Sequence, residues 1–219
     1  MISDTKVVAI GGGTGLSTML KGLKLHTHNI TAVVTVADDG GSSGILRSDL
    51  GMLAPGDVRN CVSALAEVDP VMGELLNFRF KDGSLKGHSL GNLFLAALNE
   101  TSSSFDEAVK KFSHLTGVVG TVYPVTNESV TLSALLEDGR LIEGESHIGV
   151  HHDGPKNGIV KLMVNPEKPK AVDGVIKALK KADIIVLGPG SLYTSIIPNL
   201  LVDGVVDAIK KSNAVKIYV

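Results

Sequence analysis

A buried-strand pattern that breaks into four glycines within five residues leaves few folds open to this chain. Val7-Val8-Ala9-Ile10 is an uninterrupted apolar run, and Gly11-Gly12-Gly13-Thr14-Gly15 follows it directly. Behind the glycines, Leu16, Met19, Leu20 and Leu23 recur at the i, i+3, i+4, i+7 spacing of a helix that buries one face. Strand, tight loop and helix in that order build an α/β sheet with parallel strands. Glycines at the junction allow positive φ and let a ligand approach the main chain closely. The helix start turns its free N–H groups, and the positive end of its dipole, toward the loop. An anion, most often a phosphate, is the natural occupant of such a cradle.

Neither of the two named phosphate motifs is met. The dinucleotide fingerprint G-x-G-x-x-G requires glycine where this chain has Leu16. The P-loop requires Gly-Lys-Ser/Thr at its end, and the nearby lysine, Lys21, falls inside the helix. A strand–glycine–helix cradle of unassigned type remains, beside the plainer reading of a tight turn that holds no ligand.

A second buried strand, Ile30 to Ala37, ends in Asp38-Asp39-Gly40-Gly41-Ser42-Ser43-Gly44. An acidic residue about 20 places beyond a glycine loop reaches a ribose hydroxyl in Rossmann units. Asp38 or Asp39 sits at that spacing; the pair could equally hold Mg²⁺ with substrate phosphates, or cap the turn. Pro55-Gly56-Asp57 opens a helix whose apolar face is Val58, Cys61, Val62 and Leu65, with Asp57 as N-cap candidate. Arg59 and Asn60 lie off that face near the helix start, where arginine can reach a phosphate or stand in solvent. Gly87-His88-Ser89-Leu90-Gly91-Asn92-Leu93 enters another helix. His88 and Asn92 are candidate ligand contacts there, against the alternative of a capping Ser89 beside a passive His88. Ser104-Phe105-Asp106-Glu107 is a capping box.

From Val118 the period changes to that of strands and a hairpin. It reads as a small antiparallel insertion that runs to the strand Ile159–Val164, over residues 118–164. His147, His151, His152 and Asp153 could be taken for metal ligands, but no partner stands at a recognised ligand spacing and a loop is the better reading. A helix over Ala171 to Lys181 precedes Asp183-Ile184-Ile185-Val186-Leu187-Gly188-Pro189-Gly190-Ser191, which repeats the opening logic. Ser191, Thr194 and Ser195 then offer hydroxyls at a helix start. Val215-Lys216-Ile217-Tyr218-Val219 reads as a central parallel strand, with a C-terminal segment expected beyond it.

Composition narrows function by exclusion. The chain has 219 residues, 43% of them hydrophobic, enough for one large domain over 1–219. Net charge is −2 with no Lys/Arg run, which disfavours nucleic acid. No apolar run approaches the roughly 18 residues of a membrane helix. The single cysteine, Cys61, suits a reducing cytoplasm and a core position.

The Gly11–Leu16, Ala37–Gly44, Pro55–Asn60, Gly87–Leu93 and Gly188–Ser195 stretches together resemble the YvcK-type, gluconeogenesis-factor branch of the CofD-like superfamily. The resemblance implies a Rossmann-like, mostly parallel sheet with helices on both faces and the small antiparallel β insertion. It implies a bacterial cytoplasmic protein that binds a UDP-sugar such as UDP-N-acetylglucosamine and regulates carbon metabolism, gluconeogenic growth, cell shape and envelope morphogenesis, with no established reaction. The ligand set so implied is Gly11, Gly12, Gly13, Thr14, Gly15, Asp38, Asp39, Gly40, Gly41, Ser42, Arg59, Asn60, His88, Asn92, Gly188, Pro189, Gly190, Ser191 and Thr194. The alternative is a 2-phospho-L-lactate transferase with Mg²⁺ at Asp38 and Asp39 and a nucleotide-linked donor. The Asp38–Gly44 and Gly87–Leu93 stretches depart from the transferase pattern. A homodimer and regulatory protein partners stay open. An NAD-dependent oxidoreductase is a weaker third reading, because Leu16 breaks its fingerprint.

Overall fold

The computed structural model describes residues 3–150 and 157–219. Its centre is a five-stranded sheet of β1 (Val7–Gly11), β2 (Ile30–Val34), β3 (Thr121–Pro124), β7 (Ile184–Leu187) and β8 (Val215–Tyr218), in the order β3-β2-β1-β7-β8. Every pairing within it is parallel. All five residues of β1 are buried, as expected of a central strand covered on both faces.

Two cores follow from the alternation of side chains along these strands. Ala9, Ile30, Ala32 and Val34 point to one face and pack with α1 (Gly13–Leu23), α3 (Gly56–Leu65), α5 (Leu90–Glu100) and α6 (Phe105–Leu115). Val8, Ile10 and Val33 point to the other and pack with α8 (Asp173–Lys181) and α10 (Val205–Lys211). The first core also takes in α2 (Gly41–Leu50), through Leu46, and α4 (Pro70–Asn77), through Leu76. The helices thus cover both faces of the sheet, as the periodicity predicts.

A separate antiparallel sheet has the order β5-β4-β6, from β4 (Thr131–Leu136), β5 (Leu141–Glu143) and β6 (Ile159–Asn165). Strict alternation in β4 sends Leu132, Ala134 and Leu136 inward, and Leu132 and Ala134 extend the first core. The short α7 (Glu145–Gly149) follows β5.

Three expectations shift. The strand at Thr121–Pro124 pairs with β2 in the main sheet, so the antiparallel sheet begins at Thr131 rather than at 118. Four residues of apolar and β-branched character are the same signal in either sheet, and periodicity carries no partner information. The last strand, β8, lies at the edge of the sheet rather than at its centre, with all four residues exposed. The helix expected from Ala171 begins at Asp173, and Leu192–Ile196 forms a π-helical turn that leads into α9 (Ile197–Leu200).

Candidate functional site

Because β1, β2 and β7 are parallel neighbours, the loops that leave their carboxyl ends emerge on one rim. That rim is where open α/β sheets bind ligands. The Gly11–Gly15 and Gly188–Ser191 loops meet there. A Cβ on Gly15 would lie 2.9 Å from the Pro189 carbonyl oxygen, and one on Gly190 would lie 3.4 Å from that of Gly12. A Cβ on Gly12 would stand 2.6 Å from Thr35 Cγ2 and 2.7 Å from Asp57 Oδ2. Glycine is required at Gly12 for this close approach, since its backbone is extended. No side chain caps α1 at Gly12; in its first turn the Gly13 amide donates to Asp57, and those of Thr14 and Gly15 meet no acceptor among the described residues. Asn199, fully buried, ties the first loop to the turn that follows the second: its Nδ2 donates to Gly11 O at 3.1 Å and to Ser195 O at 2.8 Å.

Carboxylates gather along one wall. Asp57 accepts a hydrogen bond from the Gly13 amide, yet burial pushes its carboxyl up to about 6, helped by the nearby charge of Asp38. Glu145 is raised too, chiefly by burial, with Asp38, Asp39 and Asp57 adding repulsion against a hydrogen bond from Thr194. Asp39 accepts from the amides of Glu145 and Ser146, each at 2.9 Å, and so caps α7. Asp38 Oδ1 accepts from Gly40 N at 2.9 Å in a local turn. Arg47 braces this loop from outside, donating to the carbonyls of Asp38 and Val130 at 3.1 and 2.8 Å.

The opposite wall is a buried hydrogen-bond network. Ser42 Oγ and His88 Nδ1 are 2.9 Å apart, and Asn92 Nδ2 donates to Ser42 Oγ at 3.1 Å. Arg59 donates from Nε to Asn92 Oδ1 at 3.3 Å and from Nη1 to Asn77 Oδ1 at 2.8 Å. His88, Asn92 and Arg59 are all buried. Burial, followed by the positive charge of Arg79, pulls the Arg59 guanidinium below its usual range. Between the walls lies a cavity of about 230 Å³, whose lining includes Asp38, Ser42, Asp57, Arg59, Arg79 and Asn92. A larger cavity of about 540 Å³ flanks β3 around Tyr123 and Lys177 and shares no residue with this one.

The predicted site residues therefore converge from five separate stretches. Ser89 does cap α5, accepting from Asn92 N at 3.2 Å, while His88 joins the network through Ser42. Asp57 is not an N-cap: α3 starts at a Pro55 cap without a side-chain bond, and the carboxylate turns to the glycine loop instead. Ser104 accepts from Glu107 N at 3.4 Å as the capping box predicts, although Glu107 reaches back to Ser103 N. His147 sits with Nδ1 2.8 Å from Glu143 O, as a donor to that carbonyl. His151, His152 and Asp153 lie outside the described residues. Among the described residues no group of three or more His, Cys, Asp and Glu side chains is arranged to hold a metal ion. Sequence reasoning missed Thr35, Arg79 and Glu145. Only Glu145 left a signal, since the Gly144 that precedes it lets Asp39 Oδ2 come within 2.7 Å of a would-be Cβ.

Fold and rim together define a class: an open parallel α/β protein with two glycine loops in contact at the strand carboxyl ends. The family described as "2-phospho-L-lactate transferase CofD" matches residues 7–219, and the chain belongs to it. It is 57% identical to a "Putative gluconeogenesis factor" of Thermoanaerobacterium thermosulfurigenes over 218 residues, 100% of this chain and 68% of the relative. A relative of the same name in Clostridium acetobutylicum is 54% identical over 219 residues, of which the chain spans 49%. The "Gluconeogenesis factor" of Bacillus subtilis is 46% identical over 98% of this chain and 67% of the relative. A crystal structure from Bacillus halodurans, described as a member of the upf0052 family, superposes with a TM-score of 0.94 at 46% identity, covering 100% of this chain and 69% of that one. The chain thus spans between about half and two thirds of these relatives. Among the described residues no helix is long and apolar enough to cross a membrane.

Proposed function

We propose that the rim cleft binds a UDP-sugar, UDP-N-acetylglucosamine being the test ligand, and that the protein serves gluconeogenic growth, cell shape and envelope synthesis from the cytoplasm as a regulator. The observation that supports the reading most is the contact between the Gly11–Gly15 and Gly188–Ser191 loops on one rim. The diphosphate takes the amides of Thr14, Gly15 and the Gly190–Ser191 turn, which a helix dipole favours. Asp38 takes ribose hydroxyls, and Arg59, Asn60, His88 and Asn92 line the remainder. The gluconeogenesis-factor relatives support the physiological part. Calorimetry with UDP-N-acetylglucosamine gives saturable heat that is lost in Gly12→Ala. Absence of heat at millimolar ligand overturns the reading.

The carboxylate wall and the matched family favour a second reading, a transferase of phosphorus-containing groups with Mg²⁺. Asp38 is the carboxylate that fits the ion, since both Asp39 oxygens already accept amide hydrogen bonds. Mg²⁺ binds through one or two carboxylates with substrate phosphates, and there it would neutralise charge on a transferred phosphoryl group. Metal-dependent turnover of a nucleotide-linked phospholactate donor with a deazaflavin acceptor, lost in Asp38→Asn, would favour this reading over simple binding.

A further inference from the structure

The cleft carries a second set of anion-binding groups, separate from the glycine cradle. Helix α2 starts at Gly41, and no side chain caps it. The N–H groups of Gly41, Ser42 and Ser43 meet no acceptor among the described residues. A bare helix start alone says little. Here it opens onto a cavity that also receives Arg59 and Arg79.

Arg59 is only 7% exposed. Its Nε and Nη1 are spent on Asn92 and Asn77, both neutral amides. Its Nη2 has no acceptor, and no carboxylate oxygen lies within salt-bridge distance of it, among the described residues. A guanidinium this buried is ordinarily paired, because desolvating a charge without a partner is costly. Arg79 lies close enough to repel it, and donates from Nη1 to the Gly87 carbonyl. The charge of Asp57, which lines the cavity with Asp38, offsets part of that repulsion, but neither carboxylate lies within salt-bridge distance of Arg59 or Arg79 among the described residues.

We infer that the first turn of α2, with Arg59 and Arg79, forms a phosphoryl-binding subsite distinct from the Gly12–Gly190 cradle. The donor inventory favours a phosphoryl group over a carboxylate. Two guanidinium forks match a dianion, and three amides from one helical turn suit three terminal oxygens. Ser43 can add its hydroxyl, since its Oγ accepts from Gly56 N at 3.2 Å and leaves the proton free to donate. Asn77 and Asn92 are positioning residues that hold the Arg59 fork toward the cavity. The subsite stands on its own groups and does not depend on the identity of the ligand in the glycine cradle.

Amide NMR of the full chain tests this with two probes, inorganic phosphate and glycerol 3-phosphate. Either probe shifts the Gly41, Ser42 and Ser43 signals saturably, and Arg79→Gln, an exposed change that spares the fold, weakens that response about tenfold. A response to phosphate alone identifies the free ion as the guest; a response to both identifies a phosphomonoester. UDP-N-acetylglucosamine moves the Gly12–Thr14 and Gly190–Ser191 signals, which phosphate at the α2 start leaves in place, so each assignment fails separately. Shifts confined to Gly12–Thr14, no shift at high millimolar phosphate, or an Arg79→Gln response equal to the wild type overturns the subsite.

Discussion

Replacing Asp57 by Asn should stabilise the protein above about pH 4, and in full by about pH 7. The carboxyl is pushed from an ordinary 3.8 up to about 6, mainly by burial. The folded state therefore holds a proton up to about pH 6 that the unfolded chain has released near pH 4. Between those values the folded state binds more protons than the unfolded, so this group's contribution to stability falls as pH rises. Above pH 6 to 7 the cost is complete. At 1.36 kcal/mol per pH decade it reaches about 3 kcal/mol as an upper bound, and relaxation of the site brings the expected value to about 1–2 kcal/mol. Asn keeps the shape and an acceptor for the Gly13 amide. Urea unfolding of both proteins at pH 4, 5 and 8 is the assay. The variant should gain little at pH 4, about half its full gain at pH 5 and all of it at pH 8, with an unchanged denaturant slope. A gap that is constant with pH, or that favours the wild type at pH 8, refutes the argument that Asp57 is a desolvated carboxylate kept at the cleft against stability, as functional carboxylates often are.

Other outcomes follow from the packing. Gly15→Ala places a Cβ 2.9 Å from the Pro189 carbonyl oxygen, a backbone atom that cannot swing away, so it should cost about 1–3 kcal/mol in urea unfolding and weaken nucleotide-sugar binding together. Phe112→Ala empties a fully buried site that packs against Phe94 at a 5.5 Å centroid distance, and should lower stability by about 3–5 kcal/mol without a direct effect on the rim. Ser104→Ala removes the α6 cap and should cost about 1 kcal/mol, read as a lower thermal midpoint. Asn77→Ala should leave the core intact and reduce phosphate-induced shifts at Ser42, because Arg59 loses the acceptor that aims it.

The sequence made the scaffold readable where burial is periodic. Val7–Ile10 is apolar at every position because β1 is covered on both faces, and Leu16 and Leu20 are fully buried because the helix behind it shows one stripe to the sheet. The rim was readable in part, since at Gly12, Gly15 and Gly44 a Cβ would collide with a neighbour. What the sequence concealed is partnership. Thr121–Pro124 has the same character in either sheet, and only its pairing with β2 settles its place. Asp57 follows Pro-Gly as a capping residue would, and only the missing Cβ of Gly12 explains why the carboxylate turns away from its own helix. Arg79, on a loop after α4, has no local signature. Only the fold brings it to the cavity that Arg59 also lines.

The central claim is that main-chain amides from both ends of the chain share one guest. A crystal of this chain soaked in UDP-N-acetylglucosamine addresses it directly. The account predicts diphosphate density between the Thr14–Gly15 amides and the Gly190–Ser191 turn. Density at the Tyr123–Lys177 cavity alone, or a diphosphate that touches neither glycine loop, would contradict it.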